Sequence, residues 1–358
     1  MNISLVNNFI NVKPSSNENK QRISYPIFGL KMAKPLSADT VSFTGEAPTQ
    51  KQKTNDQPAI TIDLAKKIRE EYQKPHHAIK NILETEFADI LSTPEKKNHI
   101  TMHNRVKTPE SIQEKATTRG WTNKKQIEKH MGDISGFCFV MEDKKAENIL
   151  INRLSKLVKT GKLNIVEIEY HRREPLYKKN KLVKSYDSIN VENLQKLKKS
   201  VIEAKNPTTQ FYHEIDSISG YSGLHITIKT PSGLLSEIQI MPRSVYNAKV
   251  PENLLYKIRN NKNTPERYHF IEPFLAPLKV KNKDKMTPEE KELQKAMSTY
   301  TREVYATAIQ TPFNDSKKFL KVTDSQDLTQ KEKKLIQDYD MNKIYILMQG
   351  CDLIEKSS

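Results

Sequence analysis

The stretch "GYSGLHITIKTPSGLLSEIQI", residues 220–240, leaves its backbone few choices. Apolar and polar residues alternate on both sides of Pro231-Ser232-Gly233, which is the pattern of two paired strands joined by a three-residue loop. Pro-Ser suits the centre of a type I turn, and Gly233 suits the left-handed residue that completes it. That loop pairs Thr230 with Leu234, so Thr227 is predicted opposite Glu237 and His225 opposite Gln239. His225, Thr227, Lys229, Glu237 and Gln239 then share one face, and Leu224, Ile226, Ile228, Ile238 and Ile240 share the other. The apolar face is core. The polar face fits either the solvated side of an antiparallel sheet or a plate of functional groups.

Asp133 opens a nearly continuous apolar run, "DISGFCFVME", that suits a strand covered on both faces. A carboxylate there needs a cation, a donor or water. If that strand neighbours the hairpin, Asp133 and Glu237 become two carboxylates able to hold Mg²⁺ through oxygen. Gly136 in the same strand permits close backbone approach.

Around these strands the periodicity changes. Residues 1–57 are rich in Asn, Ser, Thr, Gln, Lys and Pro without a sustained period, and read as a disordered leader. Ile62, Leu64, Ala65, Ile68 and Tyr72 fall at helical spacing, Pro75 punctuates, and Ile79 to Leu91 form a second stripe. "TPESIQEKA" begins a helix with Thr108 as N-cap and Pro109 at the first helical position. "ENILINRLSKLVKTG" is an amphipathic helix, "NIVEIEYH" a strand and "VENLQKLKKSVIEAK" a further helix. Two helical stretches follow Pro277. The order predicts an α+β fold, a mixed β-sheet flanked by helices, over residues 58–284, with a helical tail over 285–358.

Arg105 and Lys107 precede the Thr108-capped helix, while Ser111 and Lys115 share one of its faces. Cations, a hydroxyl and a helix N-terminus suit a polyphosphate, though an ordinary capped surface helix has the same features. His99 and His103 are four apart, but no third ligand accompanies them, and no zinc site is read.

The formal net charge of the 358-residue chain is +16, which favours polyanionic partners if the charges cluster. Two cysteines, Cys138 and Cys351, make no disulfide framework and fit a reducing cytoplasm. No apolar run approaches membrane-spanning length and no secretory signal is read. A cytoplasmic protein is expected, and a homo-oligomer is compatible with the sequence.

The order Arg-x-Lys-x-x-x-Ser-x-x-x-Lys, Asp-x-x-Gly, Gly-Tyr-x-x-Leu-His and Glu-Ile-Gln-Ile resembles the RelA/SpoT-type alarmone synthetases over residues 60–270. The resemblance implies a nucleotidyltransferase-like mixed sheet and a small stand-alone pyrophosphokinase. Such enzymes move the β,γ-pyrophosphate of ATP onto the ribose 3′-hydroxyl of GDP or GTP. It implies ATP binding by Arg105, Lys107, Ser111 and Lys115, and Mg²⁺ ligation by Asp133. Tyr221, held exposed between Gly220 and Ser222, would stack on the acceptor base, and His225 would contact its phosphate or sugar. Glu237 would assist Mg²⁺ or take the proton, supported by Gln239.

Three positions depart from the family pattern. Cys138 stands where an Arg usually packs on adenine, "DSIS" lacks the cation of the usual Pro-Lys, and Met241-Pro242 replaces Arg-Thr, with Arg243 just beyond. Arg172, Arg173, Lys178, Lys179, Lys181 and Lys184 either compensate or serve a longer polyanion. Two other readings therefore stand beside the first: pyrophosphorylation of a tRNA 3′-end as a growth-inhibiting toxin, and a non-catalytic nucleotide or RNA binder.

Overall fold

The computed structural model describes residues 60–173, 176–178, 181–204, 211–216, 219–249, 252, 286–313, 328–338 and 340–341. The expected leader, residues 1–57, lies outside them. The elements are α1 (Ile62–Phe87), β1 (Ile100–Val106), α2 (Pro109–Thr118), α3 (Lys124–His130), β2 (Ser135–Met141), α4 (Lys144–Lys159), β3 (Ile165–Arg172), β4 (Leu176–Lys178), β5 (Lys181–Lys184), α5 (Val191–Glu203), β6 (Phe211–Asp216), β7 (Gly223–Lys229) and β8 (Leu235–Pro242). Residues 243–249 are helical. Two more helices follow, here α6 (Pro288–Gln310) and α7 (Gln330–Asp338). The segment read as a helical tail thus supplies two helices among the described residues.

A six-stranded mixed sheet in the order β1-β2-β8-β7-β3-β6 organises the chain, and β4 and β5 form a separate hairpin. β2 runs parallel to β8, and β3 parallel to β6. The contacts β1–β2, β7–β8 and β3–β7 are antiparallel. The fold is α+β, a mixed sheet flanked by helices, as the order of periods predicts.

The hairpin register is the predicted one: Thr227 lies opposite Glu237 and His225 opposite Gln239. Thr230 N–H donates to the Leu234 carbonyl at 2.8 Å, and Gly233 adopts φ +87°. Leu224, Ile226, Ile228, Ile238 and Ile240 join a core with α1, α4 and α5. The opposite face meets a second core, in which α6 and α7 pack with Tyr221, Met241 and Val245.

The break expected at Pro75 is absent; α1 runs through it. Ile68, Tyr72, His76, Ile79, Leu83 and Phe87 form one uninterrupted buried stripe, with His76 filling the position next to the proline. An interior proline costs about 3 kcal/mol, whereas each large apolar side chain buried returns about 1.5–3 kcal/mol. Packing outweighs propensity here.

His103 lies on β1 and His99 just before it, so no helix brings the two rings onto one face. His99 pairs with Asp143 at 2.5 Å, and His103 stacks on Tyr246 with ring centroids 4.9 Å apart.

Candidate functional site

The polar face of the hairpin is buried. His225 is 2% exposed and Glu237 6%. The burial comes partly from β3, whose register sets Glu167 beside Thr227, Glu169 beside His225 and His171 beside Gly223. Burial first, then the nearby Glu169, pushes Glu167 up to about 8. Burial likewise raises Glu169 to about 7 and lowers His171 to about 4. His213 of β6 reaches Glu167 at 3.7 Å. Sequence reasoning missed these residues. The signal was the alternation of Glu167, Glu169 and His171 in "NIVEIEYH", but alternation does not say which strand lies alongside.

One hydrogen-bonded chain runs along this face. His225 Nδ1 lies 2.9 Å from Glu237 Oε1, and its Nε2 lies 2.9 Å from the Tyr221 hydroxyl. Gln239 Nε2 donates to Glu237 Oε2 at 2.6 Å, and Lys249 Nζ donates to Gln239 Oε1. Burial disfavours charge on Glu237, but His225 more than offsets it, so the carboxyl titrates below the usual carboxylate range. Burial also lowers His225, against the pull of Glu237. Both directions fit an ionised carboxylate bonded to a neutral imidazole. Nδ1–H then donates to Glu237, and Nε2 accepts from Tyr221, whose hydroxyl burial keeps protonated. Lys249 was not foreseen either; it lies on the helical segment 243–249, which only the chain's return onto the sheet brings to Gln239.

Asp133 sits just before β2. Lys107, just after β1, donates to one of its oxygens at 2.5 Å, and Lys115 of α2 to the other at 3.1 Å. Burial opposes the charge of Asp133, but the two ammonium groups hold its carboxyl well below the usual range. Burial lowers Lys107 in turn. β2 and β8 are neighbours, with Gly136 opposite Glu237. On its other side Gly136 faces Arg105, and a Cβ built on it would meet nothing within 4 Å. The row Arg105–Gly136–Glu237 therefore leaves an open bay, with Asp133 and its two lysines at one end. Ser111 stands at the start of α2, accepting from the Thr108 hydroxyl at 3.1 Å.

Among the described residues each oxygen of Asp133 and Glu237 meets one hydrogen-bond partner, and a carboxylate oxygen accepts two. Among the described residues no group of three or more His, Cys, Asp or Glu could hold a metal ion. Two carboxylates with free lone pairs beside an open bay fit Mg²⁺, which is commonly held by one or two carboxylates together with substrate phosphates and water.

Tyr221 is the clearest correction. Expected to be exposed, it is 2% exposed. Its ring meets the edge of Tyr305 on α6 at 5.6 Å, and Lys249 Nζ lies 5.7 Å from its centroid. Gly220, at φ +80°, lies so close to the Arg302 backbone that a Cβ would come within 3.1 Å of its carbonyl oxygen. Glycine before Tyr221 thus serves close packing of α6, not display of the ring.

Of the six cations expected to compensate, Arg172 and Arg173 are engaged. Arg172 pairs with Asp187 at 3.1 Å and Glu214 at 2.6 Å, and Arg173 lies 4.4 Å over the Tyr186 ring. The side chains of Lys178, Lys179, Lys181 and Lys184 lie outside those described. Arg243 donates through Nε to Glu142 at 2.9 Å. Cys138 lies opposite His103 and Gln239, its thiol raised by burial. Among the described residues no helix is long and apolar enough to cross a membrane.

No family model matches the chain, and no curated protein does. Solved structures do. Small alarmone synthetase 1 from Bacillus subtilis is 19% identical, covering 68% of this chain and 94% of its own, with a TM-score of 0.35. The same protein bound to its product pppGpp is 19% identical, covering 65% and 92%, with a TM-score of 0.28. A GTP pyrophosphokinase family protein from Streptococcus pneumoniae is 17% identical, covering 66% and 94%, with a TM-score of 0.31. Among solved structures this chain is thus similar to small alarmone synthetases, and what it does has to be read from its own side chains.

Proposed function

We propose that the protein is a Mg²⁺-dependent pyrophosphokinase that moves the pyrophosphoryl group of ATP onto the ribose 3′-hydroxyl of GDP or GTP. The observation that carries this reading is the bay over Gly136. Lys107 and Lys115 grip one carboxylate, Asp133, Arg105 lies opposite Gly136, and a second, braced carboxylate, Glu237, stands across the bay. Pyrophosphoryl transfer needs charge neutralisation, in-line positioning and a proton acceptor near the nucleophile, with little covalent chemistry from the protein.

In this reading Arg105, Lys107, Ser111 and Lys115 hold the ATP phosphates. Lys107 and Lys115 turn from Asp133 to the phosphates as the substrate enters, which frees oxygen lone pairs on Asp133. Bound there with Glu237, Mg²⁺ would supply neutralisation of the charge developing on the phosphates. The 3′-oxygen bonds to the β-phosphorus and gives its proton to solvent water, the bond from that phosphorus to the α-phosphate oxygen breaks, and AMP leaves with the electron pair. Glu237 stays ionised because its carboxyl titrates low. That favours metal ligation over proton abstraction, since an effective base titrates near the working pH. His225 and Gln239 fix the carboxylate's direction. With its ring covered, Tyr221 acts through His225 as a positioning residue; stacking on an acceptor base would require α6 to withdraw.

The experiment is incubation of the full chain with γ-labelled ATP, Mg²⁺ and GDP, GTP or bulk tRNA. Label on the guanine nucleotide is expected. Label only on tRNA would establish the tRNA reading instead, and no transfer to any acceptor would leave the binder.

A further inference from the structure

The far side of the sheet carries a second basic feature, made by helices the reaction does not use. α4 and α5 cover the apolar face through Leu150, Leu154, Leu194 and Leu197, opposite the face that carries Glu237. Between them lies a cavity of about 420 Å³ lined by Ser155, Lys156, Lys159, Lys196, Lys199 and Glu203, among others. That volume is within the range of small-molecule sites, roughly 300–1,000 Å³.

Its charges are not all accounted for by local structure. Lys156 and Lys159 stand in the last turn of α4, where cations answer the helix dipole. Lys159 and Lys199 share a single carboxylate, Glu203, at 2.9 and 3.7 Å, and Lys156 reaches out to Glu86 at 3.0 Å. Lys196 and Lys199 lie in the middle of α5, so no helix end explains them. Of the four lysines that line the cavity, two share its one carboxylate, Glu203, and Lys156 pairs with a carboxylate outside the lining. A second, independent observation is Ser155: it is 5% exposed, lines the cavity, and its hydroxyl has no hydrogen-bond partner among the described residues. A buried hydroxyl without a partner costs free energy that a ligand oxygen would recover.

We infer that the α4–α5 groove binds a small polyphosphate anion, held by Lys156, Lys196 and Lys199 with Ser155 donating to a phosphate oxygen. The lining contains no aromatic ring on which a base could stack, so the phosphate chain itself is recognised. The groove is separated from the bay over Gly136 by the thickness of the sheet, so it is not part of the reaction site.

Hydrogen exchange of the full chain with inorganic tripolyphosphate tests this. Protection of residues 152–160 and 196–203 is expected. Lys156→Gln with Lys196→Gln should weaken that protection at least tenfold in ligand concentration, and the Arg pair at the same positions should restore it. Ser155→Ala should weaken it roughly fivefold, the scale of one lost hydrogen bond. Lys144→Gln with Lys145→Gln removes equal charge from the start of α4 and should change nothing. Equal weakening by that control pair would mean binding by net charge alone and overturn the inference. Absence of protection in the groove would also overturn it, as would a short RNA protecting the groove at lower phosphate concentration than tripolyphosphate does.

Discussion

Two carboxylates on one sheet are held in opposite ways. Asp133 is gripped by ammonium groups, Lys107 and Lys115, that carry charge into the bay. Glu237 is gripped by neutral donors, His225 and Gln239, with Lys249 one step behind. The first arrangement is an exchangeable ion pair: a polyanion offers the lysines better partners than one carboxylate. The second is a fixed direction, because a neutral network gains nothing by letting go. An open site needs both, one end that reorganises when charge arrives and one that does not.

The largest expected effect breaks the Asp133 end. Asp133→Asn leaves two largely buried ammonium groups without their carboxylate, and urea denaturation should show a loss of about 3–5 kcal/mol. Stability unchanged by Asp133→Asn would mean that Lys107 and Lys115 have other partners waiting. The wild-type ion pairs also set a pH window. The folded pKa of Asp133 lies below the unfolded value, so its contribution is present above about pH 3.9 and is lost as the pH falls toward the folded pKa.

Glu237→Gln sharpens the other half of the comparison. The amide keeps the shape but not the charge, so the transfer rate should fall at least ~100-fold, with thermal melting little changed. A rate within a fewfold of the parent would remove Glu237 from the reaction.

Tyr221→Phe separates positioning from stacking. It keeps the ring and deletes only the hydroxyl donated to His225. A rate loss of roughly fivefold is expected, the scale of one hydrogen bond. A fully active phenylalanine variant, with an inactive Tyr221→Ala, would restore the ring itself as the functional part.

The smallest effect concerns β3. Glu167 is raised to about 8, so the folded protein holds a proton that the unfolded chain releases above about pH 4.3. This raised group contributes nothing adverse at acid pH and costs stability as the pH rises toward 8. Glu167→Gln should therefore raise the melting temperature at pH 8 and leave it nearly unchanged at pH 4. An equal shift at both pH values would show that ionisation is not the cause.

Much of the site was legible before any fold was known, for local reasons. A three-residue loop with glycine at its left-handed position sets which residues face each other, and a period of two then sorts them by face; so His225, Glu237 and Gln239 could be placed together from one short stretch. Asp133 before an apolar strand, and Lys107 and Lys115 around a Thr108-capped helix start, were likewise readable. That the lysines bind Asp133 itself was not, because α2 and the end of β1 meet it only in three dimensions.

What the tertiary structure alone decided is everything that depends on which surfaces meet. The sequence around Tyr221 is the same whether its ring is displayed or covered; α6, some eighty residues later, covers it. The polar plate is buried instead of solvated because β3 joins β7 and brings Glu167, Glu169 and His171. Pro75 fails to end α1 because the stripe has a core to enter on each side of it, Ile68 and Tyr72 in one and Ile79, Leu83 and Phe87 in another. Turn geometry and side-chain alternation act within a few residues and can be read there. Burial is a property of two surfaces far apart in the chain, and its free energy exceeds the local preferences it overrides.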